Sequence, residues 1–434
     1  MKKNPMQTLL ENRSSAREKG VYSCCSANEY VIRAALRRGL ENDTVVLVEA
    51  TANQVNQNGG YTGMTPARFY EFLHKIAVEE GFPEEKLLCG GDHLGPLTWK
   101  HLPEEQAMAN ARELVRGYVL AGFSKIHIDT SMRVADDDPN TRLSDATIAR
   151  RGAELCAVAE EAFREYRVRY PDAPAPVYVI GSEVPVPGGA EENEDSVAVT
   201  TPADCAATVE AFRNAFAAQG LTDAWKRVIA VVVQPGVEFA DESVIEYDRA
   251  AAAALTDSLK ALDGVVFEGH STDYQTPDGL KQMVEDGIAI LKVGPALTFA
   301  LREGLFALEM IERELAQQKD LVLSDFRKVL EQTMLNKPGY WEKYYHGDES
   351  QQHYKRAFSF SDRCRYYLAE PDVMQAVAQL LRNLDQEDLP LALISQYLPR
   401  QYSRVRGGKL RSRGTELLID RVGDCIDEYL YAVL

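Results

Sequence analysis

Short apolar runs rich in strand-forming residues recur between residues 20 and 300, separated by longer segments with helical spacing. The runs cover residues 20–25, 44–49, 87–91, 125–129, 177–183, 228–234, 264–270 and 289–294. Several are apolar on both faces, which is typical of parallel strands covered by helices. The intervening segments repeat apolar residues every three or four positions. Eight strand–helix units of this length predict an α/β fold, a (β/α)8 TIM barrel, over residues 1–300.

A doubly wound open sheet is the alternative arrangement for the same alternation. Dinucleotide-binding sheets of that type carry a Gly-x-Gly-x-x-Gly turn after the first strand, and no such turn follows residues 20–25. The barrel is therefore the favoured prediction.

After residue 300 the pattern changes to amphipathic helices, over 300–316 and 321–335. Residues 340–367 are rich in Tyr, His and Arg, and the remainder reads as helical with one extended stretch near 391–402. The pattern predicts a helical C-terminal extension, residues 301–434, packed on the barrel. Segment 340–367 either packs there, reaches over the barrel mouth or forms a subunit contact, and packing is favoured.

Charge and cysteine content narrow the class of protein. The formal charge of -18 argues against a nucleic-acid partner and against an anionic membrane surface, although local donors can still hold a sugar phosphate. The seven cysteines include no Cys-x-x-Cys pair, so free thiols in a reducing cytosol are expected. The N-terminus lacks a secretory apolar region, and no run of about 18 apolar residues predicts a membrane span. These features together indicate a cytoplasmic protein.

Polar residues gather directly after the predicted strands, at the face where TIM barrels hold their active sites. Asn53 and Gln54 follow the second strand and are candidate substrate-binding residues. For any one such cluster taken alone, a helix cap is the favoured explanation. Their repetition at strand after strand favours a functional site.

Asp92 and His93 close the third strand. Successive side chains of a regular strand alternate, so both reach the mouth only where the backbone turns. A neutral imidazole suits a divalent metal, and the carboxylate suits acid–base catalysis. A capping Asp beside a hydrogen-bonded His explains the pair equally well. On the fourth strand, His127 and Asp129 share one face, where the carboxylate orients a substrate or a ligand imidazole, or the two form a buried polar pair.

Three later segments supply further candidates. Glu183 lies at the base of a Pro- and Gly-rich loop and suits a metal or substrate hydroxyls, while His270 is the best second imidazole ligand. Backbone N–H groups after strands seven and eight are a frequent phosphate cradle in barrels. The candidate substrate- or phosphate-binding residues of this region are Ser271, Asp273, Lys292 and Gly294. A Schiff-base role for Lys292 is conceivable, but its context does not demand one.

Five motifs together resemble the non-catalytic Z subunit of D-tagatose-1,6-bisphosphate aldolase, the GatZ/KbaZ type, over essentially the whole chain. They are EATANQ at 49–54, GGDHLGP at 90–96, GSEVPVPGG at 181–189, HSTDYQTP at 270–277 and LISQYLP at 393–399. The resemblance implies a chaperone-like accessory subunit without aldol cleavage of its own. It would be required for full activity and stability of a separate, zinc-dependent class II aldolase subunit in galactitol, N-acetylgalactosamine and D-tagatose 6-phosphate catabolism.

An older label for this family is tagatose-6-phosphate kinase. Phosphate-loop kinases carry a Gly-x-x-x-x-Gly-Lys-Ser/Thr motif, which this sequence lacks. The sequence therefore gives that label no support.

A weaker resemblance links the chain to the class II aldolases themselves, through the order of Asp92-His93, residues 128–131, residues 183–191 and His270. The departure is at the sixth strand, where those aldolases ligate metal with His and this chain has Gln234. The resemblance leaves His93, His270 and Glu183 as a ligand set for Zn²⁺ or another divalent metal.

The competing hypothesis is a metal-dependent epimerase or aldolase that acts alone on a sugar or sugar phosphate. In that case Asp92 or Glu183 would move the proton, with Asp129 as a further catalytic candidate. The expected partners are the catalytic aldolase subunit and a sugar phosphate, with no nucleic acid and no membrane. Homo-oligomer formation stays open.

Overall fold

A computed structural model describes residues 3–181 and 197–434. Eight parallel strands close into a barrel in the order β1-β10-β9-β6-β5-β4-β3-β2. The barrel strands are β1 Val21–Cys24, β2 Val46–Thr51, β3 Leu87–Leu94, β4 Lys125–Ile128, β5 Val177–Ile180, β6 Val228–Val233, β9 Val266–Gly269 and β10 Ile288–Val293. Each of the eight predicted runs overlaps one of these strands, so the predicted TIM barrel is confirmed.

Helices surround the barrel, and a two-stranded antiparallel hairpin, β7 Glu238–Phe239 and β8 Val244–Ile245, follows β6. The helices up to the closing strand are α1 Pro5–Asn12, α2 Glu29–Glu41, α3 Pro66–Glu80, α4 Glu104–Ala121, α5 Asp145–Arg169, α6 Pro202–Ala218, α7 Thr222–Trp225, α8 Arg249–Ser258 and α9 Pro277–Glu285. Those after it are α10 Pro295–Ala316, α11 Phe326–Asn336, α12 Glu349–Phe358, α13 Pro371–Leu384, α14 Leu391–Tyr397, α15 Pro399–Arg406 and α16 Gly414–Val433.

The inside of the barrel is apolar towards the N-terminal ends of its strands and charged towards their C-terminal ends. Side chains two apart share a face, so Leu47 lies on the same side of β2 as Glu49, and Ile290 on the same side of β10 as Lys292. The apolar end forms a buried cluster that includes Met6 of α1. The charged end carries the candidate site.

Helix α1 covers the apolar end and is anchored there by Asn4. The Asn4 amide donates to the carbonyls of Ser124 at 3.1 Å and Ala175 at 3.0 Å, just before β4 and β5. Its Oδ1 accepts the Met6 N–H at 2.9 Å and so caps the helix. One buried side chain thus joins α1 to the backbone just before two strands.

The extended stretch expected near residues 391–402 is wrong, because α14 and α15 occupy it. Pro390 is the N-cap of α14 and Pro399 the first residue of α15, positions where the missing N–H costs nothing. Ile394 and Leu398, four residues apart, are buried. The prolines start helices here instead of marking extended chain.

Helix α16 ends the chain against α2, α9, α10 and β1. The Tyr429 hydroxyl of α16 donates to the carbonyl of Thr272 at 2.8 Å, directly after β9. All seven cysteines are unpaired, as expected. Among the residues that the structure describes, no helix combines the length and the apolar character that crossing a membrane requires.

Candidate metal and substrate site at the barrel mouth

A cavity of about 580 Å³ lies at the C-terminal ends of β1, β2, β3, β9 and β10. Its polar side is lined by Asn53, Gln54, Asp92, His93, His270, Ser271, Asp273, Lys292 and Gly294. These residues are all of the substrate, metal and acid–base candidates predicted from the sequence except Asp129 and Glu183. Part of the C-terminal extension, including Arg365 and Tyr366, lines the same cavity. Segment 340–367 therefore does reach the barrel mouth.

The backbone turns at the end of β3, as the adjacent Asp and His require. His93 has a φ of 49°, a left-handed conformation that non-glycine residues rarely adopt. The turn brings His93 Nδ1 to 3.0 Å from Asp92 Oδ2. Burial would lower the pKa of His93, but the Asp92 carboxylate outweighs that effect and raises it. Both side chains consequently act in one cluster.

Three imidazole rings lie close together beside Asp92. The ring centres of His93 and His270 are 4.8 Å apart, those of His93 and His127 4.9 Å, and those of His127 and His270 5.3 Å. One nitrogen from each ring and one oxygen of Asp92 all lie within 4.8 Å of one another. Three nitrogens and one oxygen form a donor set that suits Zn²⁺. The residues present therefore fit a divalent metal.

The ring of His127 is held at both of its nitrogens. Its Nε2 lies 2.9 Å from the carbonyl oxygen of Gly181, which only accepts, so Nε2 carries a proton. Its Nδ1 accepts the His93 N–H at 3.1 Å and lies 2.8 Å from Asp92 Oδ1. A backbone carbonyl on one ring nitrogen commonly directs the lone pair of the other towards a metal, and at His127 Nδ1 a bound metal would take the place of the His93 N–H. His127 therefore belongs with the candidate ligands.

Below the imidazoles lies a buried network of charges. Lys125 Nζ contacts Glu49 Oε1 and Glu268 Oε2, each at 2.8 Å. Lys292 Nζ contacts Asp92 Oδ1 at 2.8 Å and also bonds Glu49. Glu268 Oε1 in turn lies 3.1 Å from His270 Nε2. The network links five strands, β2, β3, β4, β9 and β10, and fixes the positions of Asp92 and His270.

The network decides the charge of its members. Burial alone would lower the pKa of Lys292, but Asp92 and Glu49 hold it well above its usual range. Burial alone would raise the pKa of Asp92, yet His93 and Lys292 hold it well below. Lys292 is therefore an ammonium, whereas a Schiff base needs a neutral amine. Burial lowers the pKa of His270 to about 4, so this imidazole is neutral near pH 7.

Two of the predicted substrate residues are held by the loop after β2 and its neighbours. Gln54 Oε1 accepts the Thr51 N–H at 2.8 Å, and its amide donates to Cys25 O at 3.3 Å. Asn53 Oδ1 accepts the Thr98 hydroxyl at 3.2 Å. Both residues line the cavity with side chains already positioned by other contacts.

The structure separates the remaining acidic candidates. Asp129 is buried, its Oδ1 accepts the Ser131 hydroxyl at 2.7 Å, and its charge helps to raise the pKa of His93. Glu183 lies outside the described residues. Asp273, by contrast, binds the start of α10, with Oδ1 accepting the N–H groups of Gly294 at 3.0 Å and Ala296 at 2.8 Å.

Gln234, the residue that departs from the class II aldolase order, serves the loop after β6. Its Oε1 accepts the N–H groups of Gly236 at 2.7 Å and Val237 at 3.0 Å. The amide oxygen of Gln234, the atom that could ligate a metal, is therefore engaged in hydrogen bonds of this turn.

Residues 6–434 match a family described as D-tagatose-1,6-bisphosphate aldolase subunit GatZ/KbaZ-like. The chain belongs to this family. The motifs predicted the same family from sequence, and the match makes the chain an aldolase-related subunit.

One similar solved structure has the same fold. A probable tagatose 6 phosphate kinase from Sinorhizobium meliloti 1021 is 46% identical, with a TM-score of 0.86, and the alignment covers 96% of this chain and 100% of that one. A fructose-bisphosphate aldolase from Campylobacter jejuni is 13% identical, with a TM-score of 0.45 and coverage of 98% and 94%. The similarity to the Campylobacter jejuni aldolase is too low to say anything about function.

Sequence reasoning about this GatZ/KbaZ-like chain missed the lower part of the site. Lys125 and Glu268 lie in predicted strands but were not singled out, Glu49 entered only as part of a motif, and His127 was predicted to lie beside an orienting carboxylate or in a buried polar pair. The period-two pattern carried the signal, because Lys125 and His127 occupy one face of an otherwise apolar strand. Arg365 carried no comparable signal, since only the tertiary fold brings it to the mouth.

Proposed function

We propose that this chain is a non-catalytic, accessory subunit of a class II D-tagatose-1,6-bisphosphate aldolase. It raises the activity and stability of a separate catalytic subunit in galactitol, N-acetylgalactosamine and D-tagatose 6-phosphate catabolism in the cytoplasm. The family assignment supports the aldolase-related part of this proposal.

The observation that carries the non-catalytic role is the environment of Gln234. Class II aldolases, as the sequence resemblance implies, place a metal-ligating His at this position. Here an amide stands there, and its oxygen accepts two backbone N–H groups of its own loop. An amide is a weaker zinc ligand than imidazole, so the aldolase ligand set is incomplete at β6.

The state of Lys292 supports the same role. Aldol cleavage without a metal proceeds through a lysine amine, and Lys292 is held as an ammonium between Asp92 and Glu49. Lys292 is therefore not placed as a free amine for that route.

The test measures cleavage of tagatose bisphosphate by the purified chain, by a class II catalytic subunit and by their mixture. We expect no cleavage by the chain alone, and a higher rate and a longer half-life of the catalytic subunit in the mixture. Bovine serum albumin at the same mass concentration is the control for nonspecific stabilisation. An unchanged rate and half-life on mixing would contradict the proposal.

A second candidate function is metal-dependent epimerisation or aldol chemistry by the chain alone. The observation that favours it is the three-imidazole cluster with Asp92. His93, His127 and His270 would hold the metal, which when bound supplies Lewis-acid stabilisation of negative charge on a substrate oxygen. Asp92 is placed to hold or move a proton beside them, and Asp129 and Glu183 are further proton-transfer candidates.

Metal binding is tested by titrating Zn²⁺ into the chelator-treated chain in a calorimeter. We expect one ion per chain, with affinity lowered about 10- to 100-fold or more in His93→Ala and in His127→Ala. His353→Ala, at an exposed imidazole on α12, is the matched control and should leave affinity unchanged. Equal affinity in His127→Ala and the unmodified chain would remove His127 from the ligand set.

A further inference from the structure

The N-terminus of α10 opens onto the cavity directly after β10, where Gly294 and Pro295 line the wall. The first N–H groups of a helix have no partner within the helix, and its dipole favours an anion there. In TIM barrels this position is a frequent phosphate site. In this chain the carboxylate of Asp273 already accepts the Gly294 and Ala296 N–H groups.

The Asp273 carboxylate is a fixed part of the structure. It is 4% exposed and sits in the turn after β9, where Ser271 and Tyr274 have left-handed φ values of 52° and 64°. Burial raises its pKa to about 6, which leaves it mainly ionised at pH 7. A negative charge therefore occupies the place that an incoming phosphate would take.

Little positive charge remains to offset it. Besides the histidines, the basic side chains that line the described part of the cavity are Lys292 and Arg365. Lys292 is paired with Asp92 and Glu49, and the charge of Arg365, whose guanidinium also donates to the Ser361 and Asp362 carbonyls, acts on Asp273 itself by lowering its pKa. Glu29 adds another acidic group to the wall. Residues 182–196 contain no Lys, Arg or His, so they bring no cation wherever they lie.

We propose that Asp273 is a specificity-determining residue that excludes phosphate from the barrel mouth. A phosphate beside this carboxylate would meet like charge and would lose the two N–H donors that a phosphate site needs. The cavity accordingly takes a ligand that presents hydroxyl groups, not phosphate, to the start of α10. This proposal replaces the phosphate cradle hypothesised at Gly294, and it holds whether or not the chain is an accessory subunit.

The test uses inorganic phosphate as the probe and the full chain at pH 7.5, with binding followed by ³¹P NMR and by thermal shift. Asp273→Ala and Asp273→Ser remove the carboxylate and free the two N–H groups. We expect both variants to bind phosphate at least about 10-fold more tightly than the unmodified chain. Circular dichroism verifies that each variant is folded.

The matched control is Asp248→Ala, which removes a carboxylate that likewise accepts two N–H groups, at the start of α8 and away from the cavity. This control should bind phosphate no better than the unmodified chain. The proposal is overturned if the unmodified chain binds phosphate as tightly as the Asp273 variants. It is also overturned if either variant is folded and shows no gain, or if Asp248→Ala shows the same gain.

Discussion

Glu49 joins both buried lysines of the barrel, with Lys125 on one side and Lys292 on the other. A buried ion pair adds little net stability over an apolar pair, but a buried charge that loses its partner is costly. The network therefore depends on the exact position of the Glu49 side chain. Gly90, its neighbour on β3, provides the room: a Cβ atom there would lie 2.3 Å from Glu49 Oε1.

We predict that Gly90→Ala lowers the free energy of unfolding by about 2–4 kcal/mol, because the added methyl group displaces Glu49 from its lysines. Urea unfolding of the variant and of the unmodified chain measures the difference. Gly117→Ala is the matched control: it lies inside α4, where the nearest atom to a new Cβ is 3.5 Å away. The control should be neutral or up to about 1 kcal/mol more stable. Equal unfolding curves for Gly90→Ala and the unmodified chain would contradict this account of the network.

At the scale of elements, the barrel strands were predictable because burial on both faces leaves an apolar run in the sequence. The helices at 391–406 were not, because prolines at 390 and 399, one before the segment and one inside it, are signals for turns and for helix starts alike. The hairpin β7–β8 also went unpredicted, since two-residue strands are too short to show a period. Asp92 and His93 were predictable as a pair, whereas the occupation of the α10 N-terminus by Asp273 depends on a contact across 21 residues.

The attachment of α1 gives a prediction at the same scale. Asn4→Ala removes the helix cap and both bonds to the β4 and β5 edges, so we expect a loss of about 2–3 kcal/mol in the free energy of unfolding. Asn28→Ala is the comparison, because Asn28 caps α2 by accepting the Tyr30 N–H and should cost about 1 kcal/mol. Thermal and urea unfolding measure both. Equal losses would show that Asn4 acts as a cap alone.

Taken as a whole molecule, the chain combines an apolar barrel floor with a charged mouth that the C-terminal extension helps to line. The floor and the strand ends follow from sequence periodicity. The charge balance of the mouth does not, because it depends on which carboxylate meets which lysine in three dimensions. An accessory role does not depend on the imidazole cluster, whereas catalysis by the chain alone requires it. That difference separates the two candidate functions.

The most direct measurement of the accessory role is the rate of tagatose bisphosphate cleavage by a class II catalytic subunit mixed with His93→Ala/His270→Ala chain. Three further samples, the catalytic subunit with unmodified chain, the catalytic subunit alone and the unmodified chain alone, provide the reference rates. The accessory role predicts that the double variant raises the rate and half-life as much as the unmodified chain does. Loss of that effect in a folded double variant, together with cleavage by the unmodified chain alone, would contradict it.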